Sequence, residues 1–269
     1  MSFYPETWKE YLKTPVFVIN LDKSKDRMES CNKRLSERGF LHVERWKAEE
    51  PTEENIKNNW LMHGSPKFDD IDSSFKIQYP KQSCVLSHLN CIKNAIDNNI
   101  EYFTIAEDDL EFHPYADQLA PLVYESTPKD YDICYMGSNI AIAESYNGEK
   151  LNFADEKKIV CRVPSLCTGW ITYTLDGAKK LYHCIQHDLI GNHSVETLDI
   201  RIWRYMYDMI VHNHSNHFNW YVWNVRSLEK ILLNNGEEGF IKMNLPQYSI
   251  MRGEGIVVQD LSFSSLIKT

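Results

Sequence analysis

Tyr102-Phe103-Thr104-Ile105-Ala106-Glu107-Asp108-Asp109-Leu110-Glu111-Phe112 is an apolar, β-prone run that ends in three consecutive acids. Apolar residues bounded by polar ones read as a buried strand. Apolar residues return on alternate positions only after the acids. Carboxylates packed together at a strand end repel one another unless a cation lies between them. The open end of an α/β sheet, where strand C-termini emerge, is also where ligands bind. The stretch therefore reads as a metal or phosphate site at the end of a strand. A solvated acidic turn is the bland alternative, since charge runs usually face water.

The segments on either side support a sheet. Pro15 to Leu21 is β-branched and aromatic and reads as a first buried strand. Asp22 or Ser24 offers an N-cap to a helix over residues 25–38, with Met28, Cys31 and Leu35 on one face and Gly39 as its stop. Leu41 to Trp46 reads as a short strand, and residues 52–63 as a helix with acids in its first turn. Residues 64–81, polar and broken by Pro66 and Pro80, read as a long loop of the kind that often carries function. Val85, Leu86, Leu89, Ile92, Ala95 and Ile96 recur at helical spacing and predict a helix over 82–99. A helix between Pro114 and Ser126 and a strand over Tyr131 to Met136 follow. Later strands are expected over Ile159 to Val163, Gly169 to Leu175 and Phe218 to Val225, with helices over 176–187 and 196–208. The tail from Pro246 reads as irregular. Alternating strand and helix signals predict an α/β fold with a mostly parallel central sheet flanked by helices. With no repeat or linker, residues 1–269 read as one domain.

Composition narrows the function classes. With 43% hydrophobic and 25% charged residues the chain is globular rather than disordered. A net charge of -9 disfavours nucleic acid as a partner, which asks for a basic face. It leaves nucleotides open, because a divalent ion can join acids to a diphosphate. The first residues lack the basic and apolar regions of a secretory signal, and no stretch approaches the ~20 apolar residues of a membrane span. Peripheral contact with a membrane stays open. The seven cysteines are odd in number and hold no C-x-x-C pair, so they read as buried thiols of a reducing, cytoplasmic compartment, in a bacterium or a virus-infected cell.

Further residues carry candidate chemistry. Asn20, Leu21 and Asp22 end the first strand, and Arg27 follows at a helix start, where an Arg can fork onto phosphate or pair with a nearby acid such as Asp26. Ser87 and His88 are polar intrusions on an apolar helix face, and need partners if buried. Glu196 and Asp199 share a helix face, and either could serve as a general base; Asp199 could equally cap that helix or pair with Arg201 or Arg204. His212 and His214 have the alternate spacing of a metal pair, but nothing nearby completes a tetrahedral set, so they read as structural or exposed. Walker, dinucleotide-binding G-x-G-x-x-G and G-x-S-x-G motifs are all missing, which counts against P-loop, dehydrogenase and serine-hydrolase readings.

In order and spacing, these segments resemble glycosyltransferase family 25, which includes lipooligosaccharide and collagen galactosyltransferases. Val18-Ile19-Asn20-Leu21 with Asp26-Arg27 is similar to the family's opening strand and its Arg. Cys84-Val85-Leu86-Ser87-His88 resembles its Gly-Cys-x-x-Ser-His segment, and Glu107-Asp108-Asp109 its acidic strand end. Gly169 to Tyr173 with Gly177, Ala178 and Leu181, then Asp199, then Val258, Gln259, Ser264, Ser265 and Ile267, resemble the later segments. Lys81 stands where the family often has Glu, and Ser83 where it often has Gly.

The resemblance implies a GT-A type single domain, with residues of about 15–140 binding the nucleotide sugar and about 141–269 the acceptor. It implies an inverting, Mn2+- or Mg2+-dependent transfer from a UDP-sugar to a hydroxyl of a glycan, glycolipid or glycoprotein. Galactose is the default sugar, with glucose or xylose open. Asp109 is then the expected metal ligand, with Glu107 beside it. Glu107 and Asp108 hold ribose or metal-bound water; Asn20, Leu21 and Arg27 line the nucleotide pocket; Ser87 and His88 support the sugar or base. Asp199 is the expected base, with Glu196 behind it. The rival readings are an inactive sugar-nucleotide or glycan-binding protein and a metal-dependent sugar-nucleotide hydrolase.

Overall fold

The computed structural model describes residues 4–62, 79–113, 116–137, 160–161, 165, 168–192, 202, 218–223 and 257–259. The helices are α1 (Trp8–Tyr11), α2 (Lys25–Glu37), α3 (Glu53–Met62), α4 (Tyr79–Asp97), α5 (Ala116–Ser126) and α6 (Leu175–Asn192). The strands are β1 (Pro15–Asn20), β2 (His42–Lys47), β3 (Tyr102–Glu107), β4 (Leu110–Phe112), β5 (Ile133–Tyr135), β6 (Val160–Cys161), β7 (Trp170–Thr174), β8 (Trp220–Trp223) and β9 (Val257–Gln259).

Seven strands form one sheet in the order β2-β1-β3-β7-β5-β8-β6. β2 and β3 run parallel to β1, and β8 runs parallel to β5. Among the described strands, only β7, antiparallel to both β3 and β5, and β6, antiparallel to β8, oppose the rest. The sheet is thus mostly parallel, as expected, but a reversed strand lies at its centre. β4 and β9 form a separate two-stranded antiparallel ladder.

Period-two alternation explains the layering. Phe17, Ile19, Phe103 and Ile105 point to one face and pack with Ile56 of α3, Val85, Leu89 and Ile92 of α4, and Ala178 and Leu181 of α6. Val16, Val18, Tyr102 and Ala106 point to the other face, against Tyr11 of α1, Met28, Cys31 and Leu35 of α2, and Leu119 and Val123 of α5. Helices cover both faces, so β1 and β3 read as near-continuous apolar runs.

Several boundaries differ from the sequence reading. α4 begins at Tyr79, ahead of the expected 82, because Pro80 sits in its first turn, where a missing N–H costs nothing. The tail is not wholly irregular: Val257–Gln259 adds β9 to β4. α1 was not expected; a capping box between Thr7 and Glu10 starts it. Gly39 ends α2 at φ +82°, a left-handed conformation suited to glycine. The expected helix at 196–208, apart from Ile202, lies outside the described residues, as do His212 and His214 and the loop over 64–78.

Candidate active site

The C-terminal ends of β1 and β3 lie side by side, with Ile19 in register with Glu107. α4 crosses one face of these strands and brings Ser83, Cys84 and Ser87 toward the same end. Together with Leu21, Lys23, Arg27, Ala48, Pro51, Pro80 and the three acids they line a cleft of about 750 Å³, open solvent included.

The acids are not a solvated turn. Asp108 and Asp109 are 7% and 9% exposed, and Arg27, 8% exposed, lies against both. Its Nη2 is 2.5 Å from Asp108 Oδ1 and 3.0 Å from Asp109 Oδ2. Arg27 is therefore neither a surface residue nor a partner of Asp26. It comes from the first turn of α2 and ties the two acids together from below. Asn20 donates from Nδ2 to Asp108 Oδ2 at 2.6 Å and to the Ser24 carbonyl at 2.8 Å. Arg45 in turn donates to Asn20 Oδ1 at 2.8 Å and to Asp22 at 2.6 Å. Asn20 thus braces the acid pair and the α2 start, while Leu21 forms cleft wall.

Glu107 has other partners. His88 Nε2 lies 3.2 Å from its Oε1, and the Thr168 hydroxyl donates to the same oxygen at 2.6 Å. Burial opposes ionisation of Glu107, yet the hydrogen bond and charge of His88, the Thr168 hydroxyl and Arg27 hold its carboxyl below the usual carboxylate range. Asp108 goes the other way. Burial raises its pKa, and Arg27 and Asn20 offset only part of that rise.

Ser87 and His88 are almost wholly buried. Ser87 donates to the Ser83 carbonyl at 2.6 Å and accepts from the Glu49 N–H at 2.9 Å, so it ties the chain after β2 to α4. Glu49 extends that tie: its carboxylate accepts from Asn55, Asn59 and Asn90 at 2.7–3.0 Å. His88 supports Glu107 from beneath and does not itself line the cleft. Glu196 and Asp199 lie outside the described residues.

The structure adds Lys23 and Thr168, to which sequence reasoning gave no role, and gives places to Cys84 and Ser83, which it had named within the family pattern. Lys23 puts a cation in the cleft wall. Thr168 holds Glu107 from just before β7. Cys84 lies one helical turn from His88, and its i, i+4 spacing was the available signal. Ser83, one of the departures from the family pattern, lines the cleft and bonds the Pro80 carbonyl at 3.2 Å.

As a metal site, the acid pair fits a hard divalent cation. Aspartate oxygens are the donors Mg2+ and Mn2+ prefer. The two aspartates against one guanidinium leave one negative charge for an ion to balance when both are ionised.

Residues 13–187 match the sequence model of glycosyltransferase family 25 (LPS biosynthesis protein). Procollagen galactosyltransferase 2 of Mus musculus is 25% identical over 178 residues, covering 62% of this chain and 27% of that protein. The Homo sapiens protein of the same name is 24% identical over 180 residues, with the same coverage. The chain therefore spans about a quarter of the length of these relatives. Among solved structures, the apo-form glycosyltransferase GlyE of Streptococcus pneumoniae TIGR4 is similar over 93% of this chain and 54% of its own, at 10% identity and a TM-score of 0.40. With a family match over most of its length, this chain belongs to glycosyltransferase family 25.

Proposed function

We propose that this glycosyltransferase moves a sugar, galactose by default and glucose or xylose as alternatives, from a UDP-sugar to a hydroxyl of a glycan, glycolipid or glycoprotein. The observation that carries the reading is the buried, Arg27-tied acid pair at the end of β3, opening on a cleft within a family 25 domain. The curated relatives are named as galactosyltransferases, which supports the default sugar. The cytoplasmic setting rests on the sequence, whose seven cysteines are odd in number and hold no C-x-x-C pair. Among the described residues no helix is long and apolar enough to cross a membrane.

Asp109 would hold Mn2+ or Mg2+ with Glu107, and the ion would neutralise the diphosphate as it departs. The chain's own residues then divide the work. Arg27 and Asn20 fix Asp108 and Asp109 in one geometry before any ligand arrives, so little is lost in ordering them. Lys23 and the first turns of α4 present positive potential to the phosphates. Leu21 and Pro51 supply apolar wall for the nucleoside. Transfer with inversion needs a carboxylate to take the proton of the attacking hydroxyl, and Asp199 is the candidate, with Glu196 behind it.

A panel of nucleotide sugars assayed for transfer with and without Mn2+ tests the reading. UDP-galactose should give metal-dependent transfer, and Asp109→Asn should reduce it by roughly 100-fold. Undiminished transfer by that variant, with Mn2+ present, would remove Asp109 as a ligand. UDP binding without turnover of any donor would favour a binding protein. Free sugar as the main product, with acceptors supplied, would favour a hydrolase.

A further inference from the structure

Beside the acid pair lies a second donor cluster of different chemistry. Cys84, His88 and Glu107 each offer a ligand atom, and these atoms all lie within 4.8 Å of one another. Cys84 and His88 come from successive turns of α4, and Glu107 from the end of β3. We propose that these three side chains form a site for a borderline-soft divalent cation, Zn2+ above all, with a fourth position open to the cleft.

Donor type is the first reason. Thiolate, imidazole and carboxylate form a zinc-type set, whereas Mn2+ and Mg2+ favour oxygen. Geometry is the second. In a tetrahedron with metal–ligand distances near 2.05 Å, nitrogen and oxygen ligands stand roughly 3.3 Å apart. His88 Nε2 and Glu107 Oε1 are 3.2 Å apart, longer than the ~2.7–2.9 Å of a charge-assisted pair. Charge is the third. One thiolate and one carboxylate balance Zn2+, so the occupied site is neutral and its burial is cheap. On binding, the Cys84 thiol releases its proton to solvent, as does the His88 ring where it is protonated, so that His88 coordinates as the neutral ring and Glu107 as the carboxylate.

The Glu107 side of the cluster has an outer partner in place, while His88 Nδ1 is buried without one among the described residues. The Thr168 hydroxyl already holds the Glu107 carboxylate, as outer partners of ligating carboxylates do. Cys84 and Glu107 both line the cleft, so an ion has a way in. Three of the other thiols compete poorly: Cys31, Cys91 and Cys134 are buried, and burial pushes their pKa values up. The proposal goes beyond the sugar-transfer reading, with which it shares one ligand, Glu107; a Zn2+ held here would take that carboxylate from the ion at Asp109.

The test uses the full chain and the metal alone. One equivalent of Co2+ should produce an intense cobalt–thiolate charge-transfer band, which Zn2+ displaces and which Cys84→Ser abolishes. In the unaltered protein, Zn2+ but not Mg2+ should slow alkylation of Cys84 at least tenfold, read by peptide mass spectrometry. Glu107→Gln should keep the thiolate band while weakening Zn2+ at least tenfold. Absence of the band, its survival in Cys84→Ser, or alkylation of Cys84 at an unchanged rate under Zn2+ would each overturn the site. None of these readouts involves UDP or transfer, so a failure here is separate from a failure of the sugar-transfer reading.

Discussion

At the scale of single residues, Arg27 matters most. It is buried against two carboxylates that are themselves buried, and removal of one partner of such a group leaves an uncompensated charge. Arg27→Met should cost about 3 kcal/mol at neutral pH, measured by urea unfolding. The deficit should shrink in acid, as Asp108 and Asp109 take up protons and cease to need a cation. A deficit independent of pH would mean lost packing rather than lost charge. Arg27→Lys should rescue only part, since a point charge on a flexible stem replaces a planar fork. His113, just past β4, gives a second pH signature. Burial lowers its pKa to about 4, against the ~6.5 of an unfolded chain. Its contribution is complete above pH 6.5 and is lost as pH falls from there toward 4, because the unfolded state takes up the proton first. Replacing His113 with Leu should flatten that part of the acid limb in a stability–pH series.

Between elements, close approach decides what is tolerated. A Cβ on Gly177 would lie 2.0 Å from the Asp132 carbonyl oxygen, so the first turn of α6 needs glycine there to pack against the residue just before β5. Gly177→Ala should destabilise the fold by about 1–3 kcal/mol, readable as a fall in Tm. Thr7→Ala removes half of the α1 capping box and should cost about 1 kcal/mol. Most elements were legible because their apolar period was long enough to register. β1, β3, α2 and α4 all lie within a few residues of their expected bounds. α1 and β9 are too short to show a period, and β9 exists only through its pairing with β4, far away in sequence. The reversed direction of β7 was also invisible, since a strand's local pattern does not record which neighbour it meets. The acids at 107–109 were readable as charge at a strand end. The tie of Asp108 and Asp109 to Arg27 was not, because it joins the turn after β3 to the first turn of α2, which only the sheet brings together.

Among the described residues, the molecule is a sheet with helices on both faces and the acid-lined cleft at one end. The acid turn sits between two ladders: β3 is bonded into the main sheet, and β4 is bonded to β9. The family match ends at residue 187, so β9 supports the site from beyond the matched region. Truncation before residue 257 should therefore loosen Leu110–Phe112, raising amide hydrogen exchange there while leaving β1 protected. Equal protection of both in the truncated chain would show that the β4–β9 ladder adds nothing to the acid turn.

The place of β7 between β3 and β5 also sets an order of events at the ribosome. β3 can join β1 as soon as it emerges, but its other edge has no partner until residues 170–174 follow. At roughly 5–20 residues per second that interval lasts on the order of 3–13 s. Throughout it, the apolar run Tyr102–Ala106 stands as an open edge able to pair with another nascent chain. Slow elongation between β3 and β7 should therefore lower soluble yield, though the finished protein would be identical.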